Sequence, residues 1–92
     1  MIVRIATEGQ YSLDSSYYDQ LNTIDNRLVQ TLASGDRETF QVLFGELLDI
    51  VRTHGTLLSP EDLVESHVVL PPPDTTFEEA SELFTGEGLV PS

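Results

Sequence analysis

The spacing of apolar positions changes along the chain, and each change marks a structural element. Ile2, Val3, Ile5 and Ala6, with Arg4 and Thr7 between and after them, form a short β-rich run. Glu8-Gly9-Gln10 supplies a turn before Tyr11-Ser12-Leu13, so this region predicts a hairpin. Asp14, Ser15 and Ser16 are successive N-cap candidates, and Ser16 with Asp19 has capping-box spacing. From there the period lengthens: Tyr17, Leu21, Ile24, Leu28 and Leu32 fall on one face of a helix, and Gly35 stands where a glycine stop is expected. Asp36 can cap a second helix. Its apolar stripe is wide, comprising Phe40, Leu43, Phe44, Leu47, Leu48, Ile50 and Val51, and His54-Gly55 closes it. A link this short makes the two helices an antiparallel hairpin.

Beyond Thr56-Leu57-Leu58, Ser59-Pro60-Glu61-Asp62 reads as an N-cap, a proline at the first helical position and an early acid, which predicts one or two helical turns. Ser66 to Leu70 is a β-branched, apolar run stopped by Pro71-Pro72-Pro73, which cannot donate ladder hydrogen bonds and hold the chain extended. It predicts a third strand. Asp74, Thr75 or Thr76 can cap a last helix, with Glu78 or Glu79 at box spacing, Phe77, Ala80, Leu83 and Phe84 on one side, and Gly86 and Gly88 as its end. The expected fold is α+β: a small two- or three-stranded sheet packed with an antiparallel helical hairpin and a short C-terminal helix, one domain over residues 1–92.

Composition narrows the class. At 92 residues the chain buries only roughly 60–65% of its unfolded surface, and at 39% apolar it is too hydrophobic for a disordered acidic chain and too polar to span a membrane. There is no cysteine, so disulfides and thiolate chemistry are excluded. The opening MIVRIAT lacks the apolar core of a signal peptide, and a cytoplasmic protein is the expectation. All four basic residues are arginines, set against 16 acids for a net charge of −12. Nucleic acid and anionic lipid would both repel such a chain. The charge is also uneven. Residues 1–35 and 36–55 each hold four acids and two arginines, whereas residues 56–92 hold eight acids and no base. That last stretch carries many apolar side chains, so it is expected to fold rather than trail as an acidic tail.

Candidate chemistry is sparse. His54 reads as a side chain at a helix carboxyl end and His67 as the solvent-facing start of a strand. A metal site would need both to converge with acids such as Asp49 or Glu65, and no H-E-x-x-H or comparable spacing supports that. Glu61-Asp62 and Glu78-Glu79 sit in first helical turns, where acids favour the positive helix end. Gly86-Glu87-Gly88 follows a helix instead of preceding one, and its acid would repel phosphate. No catalytic, cofactor-binding or metal-binding residue is assigned, and an enzyme is not expected. What remains is surface. Tyr17 and Tyr18 cannot both face one core from one helix, so one ring is available as an interface anchor. Glu78, Glu79, Glu82 and Glu87 form an acidic face suited to a basic partner, although solvation alone explains such a face equally well.

The opening MIVRIATEGQY, the central LLDIVRTHGTLL, the LPPPD run of Leu70, Pro71, Pro72, Pro73 and Asp74, and the ending of Glu87, Gly88, Leu89, Val90 and Pro91 together resemble the PspA-associated family, whose domain is called PspAA. The resemblance spans nearly the whole chain. It implies an accessory component of a phage-shock, envelope-stress system, working with a coiled-coil, membrane-remodelling protein of the PspA type, and it implies no reaction. Such a domain would reach a membrane only through its partner. A second reading is a self-associating, homodimeric structural module that buries exposed sheet edges.

Overall fold

A computed structural model describes residues 1–62 and 64–84. The predicted architecture is present, with a helical hairpin and a short third helix packed on a mixed sheet. Strands β1 (Ile2–Ile5) and β2 (Gly9–Ser12) form the antiparallel hairpin. Its turn lies slightly earlier than the pattern places it, closed by the Glu8 amide donating to the Ile5 carbonyl at 3.0 Å. Thr7 occupies the left-handed region at φ 73°, the only non-glycine among the described residues to do so.

Helix α1 (Tyr18–Ser34) is entered through a 3-10 turn at Ser15–Tyr17. The Asp14 carboxylate caps that turn by accepting the Ser16 amide at 2.8 Å, and the Ser16–Asp19 box is not used. Gly35, at φ 76°, ends α1 in the left-handed cap that glycine adopts most cheaply. Asp36 then accepts from the Thr39 amide and starts α2 (Arg37–His54). The stripes of both helices face one core. Leu21, Ile24 and Leu28 of α1 and Phe40, Leu43, Phe44, Leu47, Leu48 and Val51 of α2 are buried, while Leu32 is half-buried. Two polar residues share the inner face of α1: Thr31, which donates to the Leu28 carbonyl, and Asp25, which is fully buried.

The sheet has one strand more than the pattern shows. Thr56–Leu57 forms β3, antiparallel to β2, and Val68–Leu70 forms β4, parallel to β1, giving the order β3-β2-β1-β4. Alternation decides the faces. Val3, Ile5, Val68 and Leu70 point to the helices and are buried, whereas Arg4 and Val69 point outward and are exposed. The chain from β3 to β4 crosses the outer face, where Gln10 of β2 donates to the Val64 carbonyl at 2.9 Å and the Ser66 hydroxyl at 2.8 Å. Those bonds bury Gln10, and they hold this stretch extended. The helix expected from Ser59-Pro60-Glu61-Asp62 is accordingly a single turn, closed by the Asp62 amide on the Ser59 carbonyl. A single turn is a costly nucleus that must propagate to persist, and the Gln10 bonds to Val64 and Ser66 hold the chain that follows against the sheet.

β4 is anchored at its start by His67. The His67 amide donates to the Ile2 carbonyl at 2.8 Å, and its Nδ1 accepts the Ile2 amide at 2.9 Å. Replacing His67 by alanine is expected to lower stability by about 1 kcal/mol in a urea titration, and by asparagine far less, because an amide oxygen can accept the same N–H.

Leu70 and Pro71 are buried, and Pro72 begins a turn in which its carbonyl accepts both the amide and the hydroxyl of Thr75. Thr76 then caps α3 (Phe77–Leu83) with a full capping box to Glu79. The proposed end of this helix at Gly86 and Gly88 lies outside the described residues. No helix among the described residues is long and apolar enough to cross a membrane.

Candidate functional site

Most of the side chains singled out for a surface role are already engaged within the domain. Tyr17 and Tyr18 are both half-buried against the core, because the 3-10 turn places Tyr17 before α1 proper instead of on its first turn. The Tyr17 ring stacks on His54 at 4.8 Å between centroids, which ties the start of α1 to the end of α2. Glu78 pairs with Arg37, and the same guanidinium lies 4.6 Å from the centre of the Phe77 ring. That pairing holds the Glu78 carboxyl below its ordinary range. Glu79 completes the capping box, whereas Glu82 is exposed and makes no ion pair among the described residues. Glu87, Gly88, Leu89, Val90 and Pro91 lie outside the described residues, and of the LPPPD run only Pro73 and Asp74 are fully on the surface.

The two histidines are held at different places. His54 belongs to the α2–Tyr17 junction and His67 to the β1·β4 pairing. No group of three or more His, Asp or Glu among the described residues is placed to hold a metal ion.

Among the described residues, grooves open on two sides of the domain. One, of about 570 Å³, runs between α2 and the Pro73–Glu78 segment, with Phe40, Phe44 and Leu48 along its floor and Arg37 and Arg52 on its sides. Gly45 also lines it, and a methyl group there would meet nothing within 4 Å. The other groove, of about 710 Å³, lies between the Thr7–Gly9 turn, with Arg4 and Gln10 beside it, and Leu57, Leu58, Asp62, Val64 and Glu65 of the crossover chain. One wall of the larger groove is fixed by Arg52. It donates to Glu8 from Nε at 2.9 Å and again from its terminal nitrogen, while the Tyr11 hydroxyl donates to the same carboxylate at 3.3 Å.

The Arg52 hydrogen bonds and charge hold the Glu8 carboxyl below its ordinary value of 4.5, against the opposing effect of burial. Burial, reinforced by the Glu8 charge, pushes the Tyr11 hydroxyl up. A depressed carboxyl stabilises the fold fully above its unfolded value and loses that effect as pH falls through the folded one. Wild type is therefore expected to exceed Glu8→Gln by about 0.5–1 kcal/mol at neutral pH. Paired denaturant titrations at falling pH check this: the gap should begin to close as pH falls through the carboxyl's ordinary 4.5 and vanish below its lowered folded value, and a constant gap would remove the ion pair as its cause.

Nothing local in the sequence marks Gln10 or the Glu8–Arg52 pair, because their partners lie more than 40 residues away along the chain. The one available signal is scarcity: Arg52 is one of only four basic residues in a strongly acidic chain.

Comparison with known proteins adds one positive finding. A family model described as PspA-Associated protein matches residues 1–92. No curated protein and no solved structure matches the chain.

Proposed function

Because the chain belongs to the PspA-associated protein family along its whole length, we propose that it is a non-enzymatic accessory module that docks on a PspA-type coiled-coil protein of an envelope-stress response. The full-length family match is the observation that carries this reading. Charge supports the manner of docking. A domain at −12 is poorly suited to an anionic bilayer but well suited to basic surface on a protein that binds one. The acidic C-terminal part, residues 56–92, supplies most of that field. Within it Glu82 is free for direct contact, while Glu78 and Glu79 act through their field, being bonded within the domain. Tyr17 and Tyr18 contribute the exposed parts of half-buried rings. On this reading the protein is cytoplasmic and meets a membrane only through its partner.

Co-purification from native cells tests the reading. The tagged chain should enrich the PspA-type protein at low salt and release it at high salt, since screening weakens contacts between exposed charges. Enrichment no greater than that by an unrelated domain of similar charge would refute it.

A further inference from the structure

The groove between the Thr7–Gly9 turn and the crossover chain brings exposed apolar side chains and unpaired acids to one concave surface. Large apolar side chains there are exposed: Leu57 at 58% and Val64 at 45% both line it. Asp62 and Glu65 line it too, with Glu61 beside them, and none of the three makes an ion pair among the described residues. Arg4 of β1 lines the groove from the sheet side, but the described residues of the crossover that face it carry no Lys or Arg, so acids outnumber bases along it. Leu57 also belongs to β3, an outer strand of the sheet. It pairs with Tyr11 while the neighbouring Leu58 amide donates to the Gln10 carbonyl at 2.8 Å. In an antiparallel ladder this alternation turns the Leu57 N–H and C=O away from β2, so the groove is bordered by unpaired backbone as well as by exposed apolar surface.

Resting on the partner reading above, we infer that this groove is the docking site and that its occupant is a basic, amphipathic segment of the PspA-type protein. Charge complementarity selects that occupant. Apolar side chains of the segment cover Leu57 and Val64, and its Lys or Arg residues face Asp62, Glu65 and Glu61, which have no partner of their own sign-complementary kind within the described domain. A second copy of this chain fits less well, because it brings another −12 against the same acids. The Arg52–Glu8 pair holds the turn that forms the opposite wall.

The test uses the full chain and the purified PspA-type partner at low salt. Leu57→Ser combined with Val64→Ser is expected to weaken binding by about tenfold or more, because truncating exposed apolar anchors at a docking site removes most of their burial. Asp62→Asn combined with Glu65→Gln should weaken it and flatten its salt dependence. Val42→Ser combined with Leu83→Ser, which trims apolar side chains that are equally exposed but lie outside both grooves, should leave binding unchanged. All these positions are exposed, so unchanged melting curves confirm that the fold is intact. Wild-type binding that survives the Leu57/Val64 and Asp62/Glu65 changes, or that falls equally with the Val42/Leu83 change, overturns the groove and leaves the partner reading standing. No binding by wild type overturns both.

Discussion

Replacing Phe40 by alanine is expected to lower the unfolding free energy by about 3–5 kcal/mol. The ring is 1% exposed and is the largest fully buried side chain among the described residues. It stacks on Phe44 at 5.6 Å within α2, and it meets the edge of Phe77 at 5.7 Å and 88°. That second contact joins α2 to α3. A domain of this length has about 5–14 kcal/mol in total, so the loss is a large share of its stability. The fall should be larger than simple transfer of a phenyl group implies, since the cavity would open between α2 and α3, which are held together by packing and not by a direct link. Guanidinium titration of both proteins measures the difference. Phe40→Leu, which keeps most of the volume, should cost less than about 1.5 kcal/mol, and equal losses for the two changes would show that Phe40 is not the join.

Gly55→Ala is expected to cost about 2–3 kcal/mol, for a steric reason. Gly55 has an ordinary negative φ of −84°, so left-handed backbone is not the issue. Its amide ends α2 by donating to the Val51 carbonyl at 2.9 Å, and a Cβ built there collides with that same carbonyl oxygen and stands 3.1 Å from the Tyr11 Cβ. Both obstacles are backbone or close to it, so neither can swing aside. Gly45 provides the contrast. It lies within α2 with open space where its Cβ would be, so Gly45→Ala should raise stability by about 1 kcal/mol from helix propensity alone. The same chemical change at two glycines of one segment is thus expected to have opposite signs, and denaturant midpoints for the pair show whether it does.

The elements whose signals are local are legible in the sequence. α2 follows from its apolar stripe and from Asp36, α1 from its four-three-four spacing and Gly35, and α3 from Thr76 with Glu79 three residues on. Features that depend on distant partners are not. β3 is two residues long, too short for a period, and exists because Tyr11 and Ser12 pair with it. The Ser59-Pro60 signal is a genuine helix opener that Gln10 overrides from the other side of the sheet. Asp25 is polar in a helical pattern whose outward positions are also polar, so its burial leaves no trace in the sequence. The surface followed the same rule. The acidity of the last 37 residues was plain, but which acids stay unpaired depended on Arg37 reaching Glu78 and Thr76 holding Glu79. The exposure of Leu57 and Val64 depends on the sheet edge and the groove beside it, which no local pattern encodes.

Titration of the purified full chain into its PspA-type partner, at about 50 mM and about 500 mM salt, addresses the proposed role most directly. Saturable binding at the lower salt that weakens by about tenfold or more at the higher is expected of an acidic module docking on basic surface. Absence of binding at both, or binding of equal strength at both, would contradict it.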